Sequence, residues 1–503
     1  MTAAAAPATT AGTVLAGPAL NTTARVPTRA LLLTLCLANF MATLDVFVVN
    51  VALRDIGTHF GGGALSNVSW ILNGYAIVFG ALLIPAGRLA DRFGRKGVFL
   101  AGVAVFTAAS VGCAASPDLW TLVAFRCLQA AGAAVLVPSS LGLVLTSLPP
   151  ERVTRSVRIW AITAAVAGGT GPVAGGLLTQ LDWRAIFLIN LPIGLATLAS
   201  AARVVPVTTG NQATRLPGPV ESLLIIVTVA ALSLALVKGT DWGWSDPQIT
   251  TAWLVALAAG AGFSAVNRRS TAPVVDLALF RSRTFTAANA AMALTAAAMA
   301  TELLGLSLFL QQSWHWSPIA TGASLAPAAV TTFAASQLGP RLLPRMRPSA
   351  LAGLGCAIAA SGQALLVITL HATHTHNYAG AILPGWLLVG IGGGLAIPTI
   401  IGTAIADLPV HAAGSGSAVV QMSRQIGSVL GTAILVASLG AAATTDHAAP
   451  FLHVWWATTG LWLTATATVI GKRTRSWHRR TPPPQRSAAK GSPATIAIVN
   501  PPL

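Results

Sequence analysis

Charge is the scarcest feature of this chain, at 9 % of 503 residues, against 54 % hydrophobic residues and a mean hydropathy of +0.71. A soluble protein of this length needs far more charge to cover its surface, so a lipid bilayer is the expected solvent. Acids are rarest, with 13 against 30 lysines and arginines, and the net charge is +17. Such a balance would fit nucleic acid if a soluble domain displayed it as a basic surface, but no such domain is visible. The four cysteines, Cys36, Cys113, Cys127 and Cys356, sit singly in apolar runs without CxxC or metal spacing. They imply no disulfide framework and read as small buried hydrophobes. HExxH, GxSxG and P-loop patterns are missing too, so neither an enzyme, a cofactor nor a nucleotide-driven pump is expected. The first 29 residues lack a basic region followed by an apolar one, and read as a disordered tail, not a cleaved signal peptide.

What is abundant is long apolar runs. Crossing about 30 Å of hydrocarbon takes about 20 residues of helix. Fourteen runs qualify: 30–52, 68–88, 97–115, 118–141, 155–178, 184–204, 220–238, 248–267, 285–310, 318–339, 349–370, 379–405, 414–439 and 451–471. With both termini placed in the cytoplasm, 25 of the 30 cations fall in inner loops and tails, and only Arg54, Arg184 and Lys238 in outer ones. Cation-rich loops stay inside, so this asymmetry sets the orientation. Trp120, Trp183, Trp242, Trp244, Trp314, Trp316 and Trp455 fall near outer ends and are expected to form an interfacial belt.

"GRLADRFGRKG", Gly87 to Gly97, reads as a tight, glycine-bounded cytoplasmic loop between the second and third helices. Its cations serve topology, but Asp91 and the glycines call for something more, since glycine supplies turns with positive φ. The first helix carries "LDVFVVNVAL", the fourth "RCLQAAGAA", the fifth "GTGPVAGG", the connection to the sixth "DWRAIFLINLPIG" and the thirteenth "SRQIGSVLG".

Together these motifs resemble the major facilitator superfamily, and within it the fourteen-helix drug:proton antiporter branch, over nearly the whole membrane part. The loop matches through Gly87, Asp91, Arg92, Gly94, Arg95 and Lys96. Leu44, Asp45, Asn50 and Ala52 match the first-helix pattern, with Phe47 and Arg54 departing from its usual Thr and Pro. Arg126, Gln129, Gly132 and Ala134 match the fourth-helix pattern, Ala130 replacing a glycine, and Gly171, Pro172, Gly175 and Gly176 match the antiporter GPxxGG. The resemblance implies an all-α polytopic fold of two pseudo-symmetric six-helix halves, 30–204 and 284–471, around a central cavity. Two central helices would be inserted in 205–283, with cytoplasmic tails at 1–29 and 472–503.

Asp45 is the first candidate for proton coupling, because a mid-helix carboxylate costs about 2.5–3.5 kcal/mol on insertion scales and is functional by default. The superfamily plan lets Arg126 pair with it and exchange partners on protonation. Glu302 sits at comparable depth in the uncharged run "AAAMATELLGLSLFL", as a second proton site or a substrate anchor. In the family, the acid matched by Asp91 faces a helix N-terminus across the halves; here that is the start of the thirteenth helix, Ala413 to Val420, giving a cytoplasmic gate. Pro172 and its glycines suit a kinked, closely packed helix. Arg424 and Gln425 match an RQ pair that serves cavity or packing, as does Gln129. His371, His374 and His376 have spacings a metal uses, but without a fourth ligand they read as solvated.

The expected function is proton-coupled export of an amphipathic organic compound, such as a drug or antibiotic, across a bacterial cytoplasmic membrane. The alternative is a symporter or facilitator importing a small nutrient on the same scaffold. Its partners would be substrate, protons and lipid, not nucleic acid or nucleotide, and the chain would act as a monomer.

Overall fold

The computed structural model describes residues 28–62, 64–212, 216–372, 377–406, 408, 413–440 and 449–470. His374, His376, residues 1–27 and 471–503 of the tails, and Arg215 lie outside them, whereas Arg29 already belongs to the first helix and His371 to the helix Pro348–Ala372, not to a loop. Every regular element among the described residues is helical. The long helices are α1 Thr28–His59, α2 Trp70–Phe93, α3 Arg95–Ala114, α4 Leu119–Ser147, α5 Pro150–Leu181, α6 Asn190–Val204 and α7 Pro219–Trp242. They continue as α8 Pro247–Arg269, α9 Arg283–Gln312, α10 Pro318–Leu342, α11 Pro348–Ala372, α12 Leu383–Ala406, α13 Ala413–Gly440 and α14 Ala449–Ile470. Single turns, Leu65–Val68 and Ala185–Leu188, lead into α2 and α6. Thirteen of these segments are long and apolar enough to cross a membrane; the fourteenth, α14, is 22 residues long and diluted by His453 and three tryptophans. Most helices outrun the apolar runs, because helix geometry continues past the hydrocarbon where caps stop it. Asp118 is such a cap: it accepts from Thr121 N and Oγ1, and these bonds hold its carboxyl below the usual range.

The packing repeats. In the first half α1 packs on α5 and α6, α2 on α4, and α3 on α4 and α6; in the second, α9 packs on α13 and α14, α10 on α12, and α11 on α12 and α14. The halves meet along α5–α10 and α2–α13, which are the same pair of positions exchanged. That exchange is a pseudo-two-fold, which the sequence shows only faintly. The inserted α8 packs on α7, and α7 lies across both α2 and α13. Close approach between neighbours relies on small residues: a methyl at Gly132 would stand 2.6 Å from the Phe106 backbone nitrogen, which locks α4 onto α3.

Two expectations are corrected. The segment Gly87–Gly97 is not a glycine-bounded loop: helix runs through Phe93, resumes at Arg95, and turns at Gly94 alone. Gly94 has φ +94° and lies against the Thr208 carbonyl, whereas a methyl at Gly87 or Gly97 would meet nothing within 4 Å. The tryptophan belt is only partial. Trp120, Trp242 and Trp244 are exposed, but Trp183, Trp314 and Trp455 are buried. Trp314 and Trp455 pack with Phe309 in an aromatic cluster at one end of the second half, since large rings bury more area there than at an interface.

Candidate functional site

Arg126 and Gln129 stand three residues apart on α4, so they share one face. That face looks at α1, α3 and α6 of the same half. Arg126 Nη1 donates to Asp45 Oδ2 at 2.5 Å and to Gln129 Oε1 at 2.7 Å. Gln129 Nε2 donates to Asp45 Oδ1 at 2.9 Å and to Ser110 Oγ at 2.7 Å. Asn190, at the start of α6, donates to Asp45 Oδ1 at 2.9 Å. The guanidinium lies 4.3 Å from the centroid of the Tyr75 ring. Asp45, Arg126, Gln129, Asn190 and Ser110 are all 1 % exposed or less. Each oxygen of Asp45 therefore has a donor, the condition for keeping a buried ion pair.

Asn190, Ser110 and Tyr75 were not singled out from sequence. Asn190 lies within the quoted "DWRAIFLINLPIG" and was findable there; Ser110 and Tyr75 stand in ordinary apolar runs without a signal.

Glu302 does not join this cluster. It is buried, and its Oε1 accepts from Trp462 Nε1 on α14 at 2.7 Å, while Oε2 has no partner among the described residues. The two acids thus turn into the cores of their own halves, each held by an N–H from the sixth helix of that half.

The GPxxGG glycines form a two-sided seam. A methyl at Gly171 would stand 2.5 Å from Phe47 Cβ, and one at Gly175 2.8 Å from the Val48 carbonyl oxygen, both on α1. Gly176 and Gly322 face the other half: their methyls would lie 2.3 Å from the Pro318 oxygen and 2.1 Å from the Pro172 oxygen. At the same end, Arg54 Nη1 donates to the Gln311 carbonyl at 2.6 Å, Gln311 Nε2 to the Val51 carbonyl at 3.0 Å, and Ser307 Oγ to the Asn50 carbonyl at 3.3 Å. These bonds tie α1 to α9 far from Gly94. In sequence Arg54 stands as a departure from a pattern and as an outer-loop cation; the structure corrects the latter, since Arg54 lies within α1 and Lys238 within α7, both helices continuing past their apolar runs.

At the Gly94 end, Asp91 is held by Arg95 at 2.8 Å, and its carbonyl accepts from Asn211 N at 2.9 Å. Lys96 Nζ donates to the Ala202 carbonyl at the end of α6, a favourable place for a cation, and Arg88 donates to Pro273 O. Arg92 stacks over Phe93. These bonds join α2 and α3 to the end of α6 and to the linkers flanking α7 and α8; none of them reaches α13. On α13, Gln425 is a packing residue, its Cβ 2.9 Å from where a methyl on Gly80 would be, while Arg424 is exposed.

Residues 35–432 match the family model described as Major Facilitator Superfamily. The chain belongs to the Major Facilitator Superfamily. Among similar proteins of this superfamily, the methylenomycin A resistance protein of Streptomyces coelicolor is 35 % identical over 84 % of this chain and 88 % of its own length. The tetracenomycin C resistance and export protein of Streptomyces glaucescens is 31 % identical over 80 % of this chain and 74 % of its own. The cephamycin export protein of Amycolatopsis lactamdurans is 33 % identical over 80 % and 84 %. Among solved structures, a bacterial homolog of the human lysosomal transporter Spinster, inward-facing and unoccupied, aligns with a TM-score of 0.61 at 16 % identity, covering 89 % of this chain and 97 % of that one. A POT family transporter in complex with a thioalcohol-conjugated peptide gives 0.64 at 15 %, covering 88 % and 95 %. At such identities these likenesses show the fold alone, an all-helical bundle of the superfamily type.

Proposed function

We propose that the protein is a proton-coupled exporter of an amphipathic organic compound, working by alternating access in a bacterial cytoplasmic membrane. The resistance and export functions named for relatives 31–35 % identical to it support the direction of transport. The buried Asp45–Arg126 pair carries the coupling reading. With the cation-rich ends inside, the Arg54–Gln311 bond ties the two halves at the outer face, and substrate enters from the cytoplasmic side.

Protonation of Asp45 removes the charge that Arg126 is paired with. Breaking a buried pair from one side costs about 3–5 kcal/mol. Moving a two-state equilibrium from 1:99 to 99:1 takes about 5.5 kcal/mol, so one proton supplies much of a full switch. The Gln129 carbonyl oxygen and the Tyr75 ring retain the guanidinium while α1 shifts against α4. Glu302 is the second proton site, and Asp91, held by Arg95 in this state, is the residue that latches onto the start of α13 when the inner face closes.

The test is transport of amphipathic dyes by purified protein in liposomes under an imposed pH gradient. Gradient-driven movement, lost in Asp45→Asn at normal reconstitution, is the expected result. Movement of dye in the same direction as protons would favour the import reading instead.

A further inference from the structure

Three mid-helix charges, Asp45, Arg126 and Glu302, are buried and bonded within their own halves. Arg424 differs. It lies eleven residues into α13, is exposed, and has neither hydrogen bond nor ion pair among the described residues. The direction in which it points follows from its neighbours. Ser423 Oγ donates to Asn289 on α9 at 2.8 Å, and methyls on Gly427 and Gly431 would each lie 2.1 Å from carbonyl oxygens of α9. Gln425 packs on Gly80 of α2, and Ala433 packs on Val237 of the peripheral α7. Nine residues separate Arg424 from Ala433; at about 3.6 residues per turn that is two and a half turns, so the two point in opposite directions. With α7 on the outer side of α13, Arg424 faces inward, into the space between the halves.

We infer that Arg424 is an anion-binding group of the transport cavity, and that the substrate class is amphipathic organic anions, carboxylates or sulfonates with an apolar body. This rests on the exporter reading above. Both acids that would attract a cationic compound are turned away from the cavity, with their charge already engaged or enclosed. Among the described residues the Arg424 guanidinium is left as the mid-helix charge without a partner, with its planar donor fork matching a carboxylate or sulfonate bidentately. Water hydrates it while the cavity is open. Closure around it removes that water, and a bound anion then satisfies it.

The experiment is equilibrium dialysis of two probes, naphthoate and naphthyl-trimethylammonium, against the full-length protein in lipid nanodiscs, with empty nanodiscs subtracted. Naphthoate is expected to bind in preference to the ammonium, to weaken about tenfold or more in Arg424→Gln, and to recover in part in Arg424→Lys. The lysine variant also separates charge recognition from misfolding. A preference for the ammonium, equal binding of both, no binding of either, or naphthoate binding that survives Arg424→Gln would overturn the inference. Binding is read without transport, so the two readings fail separately. Naphthoate bound through Arg424 but never moved by a pH gradient would sink the exporter and leave the anion site, whereas export of cationic dyes alone would do the reverse.

Discussion

Arg54, near the end of α1, donates from Nη1 to the backbone carbonyl of Gln311 on α9 at 2.6 Å, and Gln311 returns a bond from its side chain to Val51. The two first helices of the halves are thereby stapled at one end, by a residue that stands where the family pattern has proline. A hydrogen bond from a charged donor contributes about 1.5–3 kcal/mol, which is a tenfold or larger change in an equilibrium. Arg54→Ala should therefore populate the state open at this end. Labelling of a Ser307→Cys variant by an impermeant maleimide added outside cells should rise about tenfold. Unchanged labelling would deny the staple a role in gating.

Asp45 and Arg126 should behave as a coupled pair in stability as well as transport. Each single change, Asp45→Asn or Arg126→Gln, is expected to cost about 3–5 kcal/mol, because it leaves an uncompensated buried charge. The double variant should cost clearly less than the sum, as contacting residues do in double-mutant cycles. Denaturation of the purified variants measures this directly, and additive losses would mean that the pair is not coupled.

Gly176→Ala and Gly322→Ala each place a methyl on a carbonyl oxygen across the α5–α10 contact. Overpacking of this kind costs about 1–3 kcal/mol and acts on the closed arrangement, where the helices touch. Transport should slow, and the labelling described for Ser307→Cys should increase. Gly87→Ala, which meets nothing within 4 Å, serves as the silent control.

Glu302→Gln keeps an acceptor for Trp462 Nε1 but can no longer bind a proton at that position. Thermal stability should hold while the dependence of transport rate on pH changes shape. Trp462→Phe should do the opposite first, losing stability by stripping the buried carboxyl of its donor. A Glu302→Gln pH profile superimposable on that of the unaltered protein would reduce Glu302 to a packing residue.

Gly94→Ala forces a side chain into a backbone of φ +94° and against the Thr208 carbonyl at 2.3 Å. Strain at such a position costs about 1–3 kcal/mol. The melting temperature should fall, with no comparable fall for Gly97→Ala, which has open space around it.

The number of long helices, the repeated cation-rich ends and the presence of acids inside apolar runs were legible in the chain itself, because solvation by lipid constrains each stretch locally. Asp45 and Arg126 could be named as a pair from their motifs, with Gln129 read only as a cavity or packing residue, and the structure brings all three within bonding distance. The glycines of "GTGPVAGG" could be read as packing residues, though not that Gly175 serves α1 while Gly176 serves α10. Asn190, Tyr75 and Ser110 stayed hidden, since their roles arise from helices 19 to 145 residues away in sequence from the groups they meet, and no local pattern encodes that distance. The same holds for the turning of Glu302 toward Trp462, the burial of Trp314 and Trp455, and the exposure of Arg424. Each depends on which face of a helix its neighbours cover, and that is decided when the helices pack. Composition and local pattern place charges at their depth in the membrane; the assembled bundle alone determines whether a charge meets a partner or the open space between the halves.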